Sequence, residues 1–309
     1  MKLLFIVNTS ASSVTERARV VIQKALSADH DVTTALTSRR GHATRLAQGA
    51  ASQRLDAVVV LGGDGTLNEA ANGLAGSSTA LGILPGGSTN VYARTLGLAF
   101  DPVEATGELL GAMARNSTRR VGLGSVNDRY FLFHVGVGFD AAVVEQVEKR
   151  AALKRYASHP LFVYSAFLTW FRHYDRSRPR FAVSFPEGAD GRGDTIDDGY
   201  FAICLKTNPY TYLGTTPLNV APGDATLDSP LVLLTFRSLS MVTLLGAAGA
   251  ALRSRSLRKR RRLDYRTDLP GFTLTGHGPV PYQVDGDFLG ETDRLVFKHE
   301  PDCLTIFTP

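Results

Sequence analysis

The chain has 309 residues, of which 44% are apolar and 20% charged. That excludes a disordered chain and suits two domains of ordinary size. The net charge of +5 has a local origin, because seven cations lie between Arg253 and Arg262 and the remainder is slightly acidic. The basicity is therefore one patch, suited to a single anionic contact or a solvated loop, and not a whole-surface field.

In chain order, Leu3–Val7 is a continuous apolar run, as expected of a strand buried on both faces. It lacks the long apolar region and cleavage site of a signal peptide. Thr15–Ala28 has helical spacing, Asp31–Leu36 reads as a strand, and Gly41–Ser52 as an Ala-rich helix. Ala57–Leu61 is a third strand, followed by a helix over Asn68–Leu74, a strand over Leu81–Leu84 and a helix over Asn90–Leu96. This alternation predicts a doubly wound parallel α/β sheet domain with helices on both faces.

Beyond the boundary near Val121–Asn127 the texture changes. Strands are expected at Val121–Ser125, Tyr130–Val135, Arg180–Phe185, Tyr200–Lys206 and Leu231–Phe236. Helices are expected at Ala141–Tyr156, Leu161–Tyr174 and Leu239–Arg253. Leu263–Pro309 carries further short strand signals and the turn pair Asp285-Gly286. The second domain is thus expected to be an antiparallel β-sandwich or barrel. The expected division is 1–124 and 125–299, with about 300–309 packing back on the first domain. The longest apolar stretch, Met241–Leu252, falls short of the roughly 20 residues a membrane span needs. Cys204 and Cys303 lie in no metal or redox spacing and read as reduced, buried thiols, in keeping with a cytoplasmic protein.

The strongest motif is Gly62-Gly63-Asp64-Gly65-Thr66, between a buried strand and a helix. Ligands of open α/β sheets bind at the carboxyl ends of strands. Glycines let a backbone approach phosphate oxygens, and a helix N-terminus adds partial positive charge. Asp64 would repel phosphate unless a cation intervenes, which hints at Mg²⁺. A second Gly-rich strand end follows at Pro85-Gly86-Gly87-Ser88-Thr89-Asn90. Its polar residues could cap the next helix or donate to phosphate or ribose.

Together these two segments resemble the catalytic domain of diacylglycerol kinases, a family related to sphingosine kinases and, more distantly, to NAD kinases and phosphofructokinases. The Pro-Gly-x-x-x-Asn segment followed by Ala93-Arg94 and Leu96-Gly97-Leu98 narrows the resemblance to lipid kinases. It implies nucleotide-binding roles for Asn8, Thr37, Gly62, Gly63, Asp64, Gly65, Thr66, Gly86, Gly87, Ser88, Thr89 and Asn90. Asn8-Thr9 stands where the family has Asn-Pro. Phe133–Asp140 matches the entry to the second domain. Asp224-Ala225-Thr226-Leu227-Asp228 resembles a metal-holding Asp-Gly-x-Leu-Asp segment, with Asp224, Leu227 and Asp228 as implied ligands. Asp285-Gly286-Asp287 matches an Asp-Gly-Glu, and implies Asp285 as the general base, with Asp64 also catalytic.

The activity implied is transfer of the γ-phosphate of ATP, with Mg²⁺, to the hydroxyl of a diacylglycerol-like or sphingoid-like lipid, giving a phospholipid such as phosphatidic acid. Arg253–Arg262 would suit peripheral contact with an anionic membrane. No nucleic-acid reader motif accompanies it, and a homodimer is left open. The alternatives are a kinase of a soluble acceptor such as NAD, or a non-catalytic nucleotide- or membrane-binding sensor.

Other strings carry less. Gly136-x-Gly138-x-x-Ala141 has the form of a dinucleotide fingerprint but lacks the acidic residue that should follow about twenty positions on. Gly86–Asn90 lacks the last Gly of a nucleophile elbow. No Walker-type phosphate loop is present. The aromatic residues of Tyr156–Tyr174 suit a core or a lipid cleft.

Overall fold

The computed structural model describes residues 1–149, 177–186 and 194–308. These form two compact units, Met1–Leu123 with Glu300–Pro309, and Gly124–His299.

The first unit is a parallel sheet of β1 (Lys2–Val7), β2 (Asp31–Leu36), β3 (Ala57–Gly62) and β4 (Ala80–Pro85), in the order β2-β1-β3-β4. The chain's return extends it, since Ile306 pairs in parallel with Leu81. Every residue of β3 and β4 is buried, which accounts for their unbroken apolar runs. Leu3, Phe5 and Val7 of β1 pack in one core with Ile22 and Leu26 of α1 (Glu16–Ser27) and with Leu109 and Met113 of α5 (Pro102–Ala114). Helices α2 (His42–Ser52) and α3 (Asp64–Leu74) pack on each other and on β1, β3 and β4. The short α4 covers Val91–Thr95.

Two features depart from the sequence expectation. Helix α3 begins at Asp64, four residues before the expected start, so Asp64-Gly65-Thr66 of the Gly-rich motif form its first turn. Helix α5 was not foreseen. Its start is nonetheless written in Asp101, which caps the amides of Val103 and Glu104, and in Pro102 at the first helical position.

The second unit is mainly antiparallel. Its strands are β5 (Thr118–Val126, which begins in the first unit), β6 (Arg129–Phe131), β7 (His134–Gly138), β8 (Phe181–Ser184), β9 (Thr195–Gly199), β10 (Phe201–Leu205), β11 (Thr211–Leu213), β12 (Thr216–Leu218), β13 (Leu231–Phe236), β14 (Leu263–Leu269), β15 (Gly271–Val284) and β16 (Asp287–Phe307). The sheet runs β14-β13-β10-β7-β15, all antiparallel. Alternation sends Ile203, Leu205, Val232, Leu234 and Phe236 into one core and Ala202, Cys204, Leu231 and Leu233 into another. The first core is completed by α6 (Phe139–Glu148) and α7 (Met241–Leu252). The second is completed by β8, β9, β15 and β16.

The strand expected at Tyr130–Val135 is two strands. It breaks because the amides of Leu132, Phe133 and His134 turn to a carboxylate, that of Asp285. From Leu263 onward one short strand, β14, is present as expected, and the rest is the long hairpin of β15 and β16. Of the expected helix Ala141–Tyr156, residues from 150 onward lie outside the described residues, as do all of Leu161–Tyr174 and the aromatics between Tyr156 and Tyr174.

Helices α2 and α3 approach closely at Gly73, where a methyl group would sit 2.5 Å from the Thr44 carbonyl oxygen and 2.7 Å from Ala47 Cβ. Gly73→Ala is therefore expected to lower stability by about 1–3 kcal/mol, because backbone must move to admit it. Thermal denaturation checks this, with Gly49→Ala, where nothing lies within 4 Å, as the tolerated control.

Candidate nucleotide site and the carboxylate turn

The order β2-β1-β3-β4 places a topological switch between β1 and β3, where successive connections leave in opposite directions. Ligands of open α/β sheets bind in that crevice. Asn8 closes β1 and Gly62 closes β3, and the Asn8 amide donates to the Leu61 carbonyl at 3.0 Å. Asn8 Nδ2 donates to Thr66 Oγ1 at 2.8 Å, and Asn8 Oδ1 accepts from the Ser10 amide at 3.0 Å. That second bond closes a turn at the place where the resemblance expects Pro.

The two Gly-rich segments meet backbone to backbone. The Gly86 amide donates to the Gly62 carbonyl at 2.8 Å. A methyl group on Gly86 would lie 2.9 Å from Gly62 Cα, and one on Gly87 would lie 2.8 Å from Gly63 Cα. Neither Gly86 nor Gly87 admits a Cβ, so these two glycines are required for close approach of the two strand ends. Ser13 seals the contact, its amide donating to Gly86 O at 2.9 Å and its hydroxyl to Gly87 O at 3.2 Å. Asn90 has a left-handed backbone (φ +49°) and closes the Gly87–Asn90 turn from both sides. Ser88 is exposed and Thr89 half-buried at its tip.

Asp64 has a partner that the sequence did not suggest. Its Oδ2 accepts from the Val91 amide at 3.0 Å and its Oδ1 from the Tyr92 amide at 3.2 Å. The carboxylate thus caps α4, whose start has no capping side chain of its own. The cap position of α3 is Gly63, which has no side chain of its own to cap that helix. Gly65 and Thr66 lie in its first turn. Gly62, Gly63, Asp64, Pro85 and Asn90 line one small pocket. Thr37 lies at the next strand end, its amide donating to Val7 O at 2.9 Å. Glu69, which the motif reading passed over, ties the following loop to α3: its carboxylate accepts from the Gly41 amide at 2.7 Å and the Ala43 amide at 3.1 Å.

In the second unit, Asp285 and Gly286 form the two-residue turn between β15 and β16, with φ of +48° and +85°. Asp-Gly favours that pair of left-handed conformations. A plain hairpin turn would stop there. Asp285 is instead only 4% exposed, and its carboxylate accepts from the amides of Leu132 (2.7 Å), Phe133 (3.0 Å) and His134 (3.0 Å). Gln283 braces the turn, its Oε1 accepting from the Gly286 amide at 2.8 Å and its Nε2 donating to Asp140 at 2.8 Å. Tyr210 donates its hydroxyl to the same Asp140. Burial pushes the Asp140 carboxyl up, against the pull of the Tyr210 and Gln283 bonds. His134, beside Tyr210, is pushed down to about 3 by burial and is neutral at physiological pH. Gly136 now has a steric reason, since a methyl group there would collide with Asp140 Oδ2. The fingerprint-like string is thus part of this brace.

The segment implied to hold metal is organised by a side chain. Lys206, fully buried, donates Nζ bonds to the carbonyls of Thr226 (3.0 Å), Leu227 (2.9 Å) and Ser229 (2.9 Å). Three acceptors match the three donors of an ammonium. Asp224 accepts from Arg258 at 2.6 and 3.1 Å and from the Tyr265 hydroxyl at 2.6 Å. The Arg258 bond holds its carboxyl below the usual range. Asp224, Leu227 and Asp228 therefore do not fit a metal site here: an ammonium stands at the Leu227 carbonyl and a guanidinium at Asp224. Among the described residues no group of three or more His, Cys, Asp or Glu could hold a metal ion.

A doubly wound α/β unit with paired Gly-rich strand ends, followed by a β-rich unit, has counterparts. Residues 2–126 match the model of the diacylglycerol kinase catalytic domain. It is 36% identical over 121 residues to a diacylglycerol kinase of Bacillus subtilis, covering 38% of this chain and 39% of that protein. The match thus spans about two fifths of that relative's length. It is 29% identical over 222 residues to a probable lipid kinase, YegS-like, of Chromohalobacter salexigens, covering 65% and 69% of the two chains. In fold it resembles a putative diacylglycerol kinase from Bacillus anthracis (TM-score 0.74, 20% identity, 100% of this chain and 97% of that one). It also resembles an NAD kinase from Archaeoglobus fulgidus solved in complex with ATP (TM-score 0.55, 13% identity, 100% and 94%).

Two outcomes are expected. Gly87→Ala should lower the thermal midpoint, because its Cβ meets backbone and no flexible side chain can yield, whereas Ser88→Ala should leave it unchanged. Lys206→Met should destabilise the chain to urea by about 3 kcal/mol, because buried carbonyls lose their donor. A chelator should leave the urea midpoint of the parent chain where it was. A midpoint that falls with chelator and returns with Mg²⁺ would count against the ammonium assignment.

Proposed function

We propose that the protein is an ATP-dependent lipid kinase, transferring the γ-phosphate to a hydroxyl of a diacylglycerol-like or sphingoid-like lipid to give a phospholipid such as phosphatidic acid. The observation that carries the reading is the glycine-on-glycine contact of Gly62-Gly63 with Gly86-Gly87 at the sheet's switch point, within residues that match the diacylglycerol kinase catalytic domain. Supporting it, the relatives named above are a diacylglycerol kinase and a probable lipid kinase, and a fold neighbour was solved with ATP.

In this reading Asn8, Thr37, Gly62–Thr66 and Gly86–Asn90 receive the nucleotide. The first turn of α3, entered through Gly63, offers its amides to phosphate. Asp64 acts from its place on the α4 amides, aligning the second loop against the first, and is a positioning residue on this geometry. A Mg²⁺ ion bound with the ATP phosphates would neutralise their charge. Asp285 accepts the proton of the attacking lipid hydroxyl as the O–P bond forms, and ADP leaves with the bridging oxygen. The three backbone amides hold its carboxylate in one orientation, which a base of fixed geometry needs. A membrane-borne acceptor suits a cytoplasmic protein that meets an anionic surface through Arg253–Arg262. No helix among the described residues is long and apolar enough to cross a membrane.

The test is transfer of labelled γ-phosphate from ATP to a panel of lipids in mixed micelles, with NAD as a soluble comparison. Label is expected in one lipid class, and Asp285→Asn should lower kcat by about 10²–10⁴-fold with a small change in KM for ATP. Label in NAD alone, or an Asp285→Asn chain with unchanged kcat, would overturn the acceptor and the base respectively.

A further inference from the structure

The sequence marks Met241–Leu252 as apolar and Arg253–Arg262 as basic. The structure joins them into one surface of the second unit. Helix α7 contains no charged residue. One face, Ala247, Ala250 and Ala251, packs into the core with Leu239 and Leu257. The opposite face is in water: Val242 is 84% exposed, Leu245 59% and Leu252 42%. Their spacing of three and seven residues puts them on one stripe. A helix that only closed a core would carry polar residues there.

The cations border this stripe. Arg253 donates Nη1 to the Gly249 carbonyl at 2.9 Å. The Arg260 guanidinium lies against Gly246, where a methyl group would be 2.6 Å from its Nη1. The two helix glycines thus let guanidinium groups lie on the helix flank. All seven cations are exposed, and the segment from Ser238 to Leu263 contains no Asp or Glu. Arg258 is neutralised by Asp224, which leaves the others to set the charge of the surface.

We propose that α7 with Arg253–Arg262 is an interfacial element that lies flat on an anionic lipid bilayer, Val242, Leu245 and Leu252 entering the headgroup–acyl boundary and the flanking guanidinium groups meeting lipid phosphates. Apolar stripe and cationic border together are what an in-plane membrane helix requires. A second copy of the chain would cover the stripe but would bring like charges face to face. A nucleic acid would meet the charges but leave the stripe in water. The helix is too short to span a bilayer, at about 1.5 Å per residue against about 30 Å. The surface serves the proposed lipid kinase reading by bringing the enzyme to its acceptor, but it is read without nucleotide or acceptor, so the failure of one is distinguishable from the failure of the other.

The test is co-sedimentation of the full chain with phosphatidylcholine vesicles and with vesicles that also contain phosphatidylglycerol, without ATP. Binding is expected to the anionic vesicles only, and to fall with salt. Val242→Glu with Leu245→Glu should weaken it at least about tenfold, and so should Lys259→Gln with Arg261→Gln, at about fivefold per cation. Unchanged thermal midpoints would show that these exposed substitutions leave the fold intact. Leu245→Trp should gain a blue-shifted emission component, relative to the parent chain, on anionic vesicles. No binding to anionic vesicles would overturn the proposal. So would binding that the glutamates leave unchanged, or a dimer that the glutamates dissociate while vesicle binding persists.

Discussion

The contact on which the first unit's candidate site depends is that between Gly62-Gly63 and Gly86-Gly87. Two parallel strands end side by side, and their continuations must touch through bare backbone before either helix can start. A single methyl group at Gly87 would meet Gly63 Cα at 2.8 Å. That closeness lets the Asp64 carboxylate reach across to the first amides of α4, and lets Ser13 and Asn8 bind both segments to the end of β1. Three strand ends become one rigid rim. The glycines also bring backbone amides to the carboxyl edge of the sheet, where an anion would be met. Close approach of bare backbone is also what a phosphate-binding edge would need, so the steric reason is no argument against the proposed one.

Much of this was legible in the sequence because it rests on local chemistry. Continuous apolar runs at Leu3–Val7 and Ala57–Leu61 announced strands buried on both faces, and Gly-rich ends announced where a ligand could approach. The strand read at Asp31–Leu36 has the same span in the structure. What was not legible depends on partners distant in sequence. Tyr130–Val135 has the pattern of one strand, and only Asp285, some 150 residues away, divides it by drawing off three amides. Glu69 caps a helix that begins before it in the chain. Helix α5 is different, because its start signal, Asp101-Pro102, is local and stands in the sequence.

The second unit corrects a carry-over from resemblance. The family model stops at residue 126, so the roles given to Asp224, Leu227, Asp228 and Asp285 rested on short motifs alone. For the acidic segment, side chains settle the matter differently from the motif. Lys206 supplies in covalent form the positive charge that a metal would bring, and three carbonyls point to it. A tethered ammonium needs no binding equilibrium, so the order of this loop is independent of ion concentration. Ala225, in the place of the motif's Gly, puts its methyl group into the core, a contact glycine would lack.

Asp285 fares otherwise, and the difference lies in what surrounds it. The Asn208 end of β10 and the Asp285 turn are linked through one short segment: Phe133 donates its amide to Asp285 and its carbonyl accepts from the Lys206 amide at 2.8 Å. The ammonium that orders the acidic loop therefore sits on the strand end that also orders the amides holding Asp285. On the other side Gln283 fixes Gly286 and is itself fixed by Asp140, which Tyr210 holds. A turn of two residues has been given constraints from four separate elements. Hairpin stability alone asks for none of them, since Asp-Gly makes the turn unaided. Such constraints are what a carboxylate requires if its position, and not only its presence, matters to the reaction.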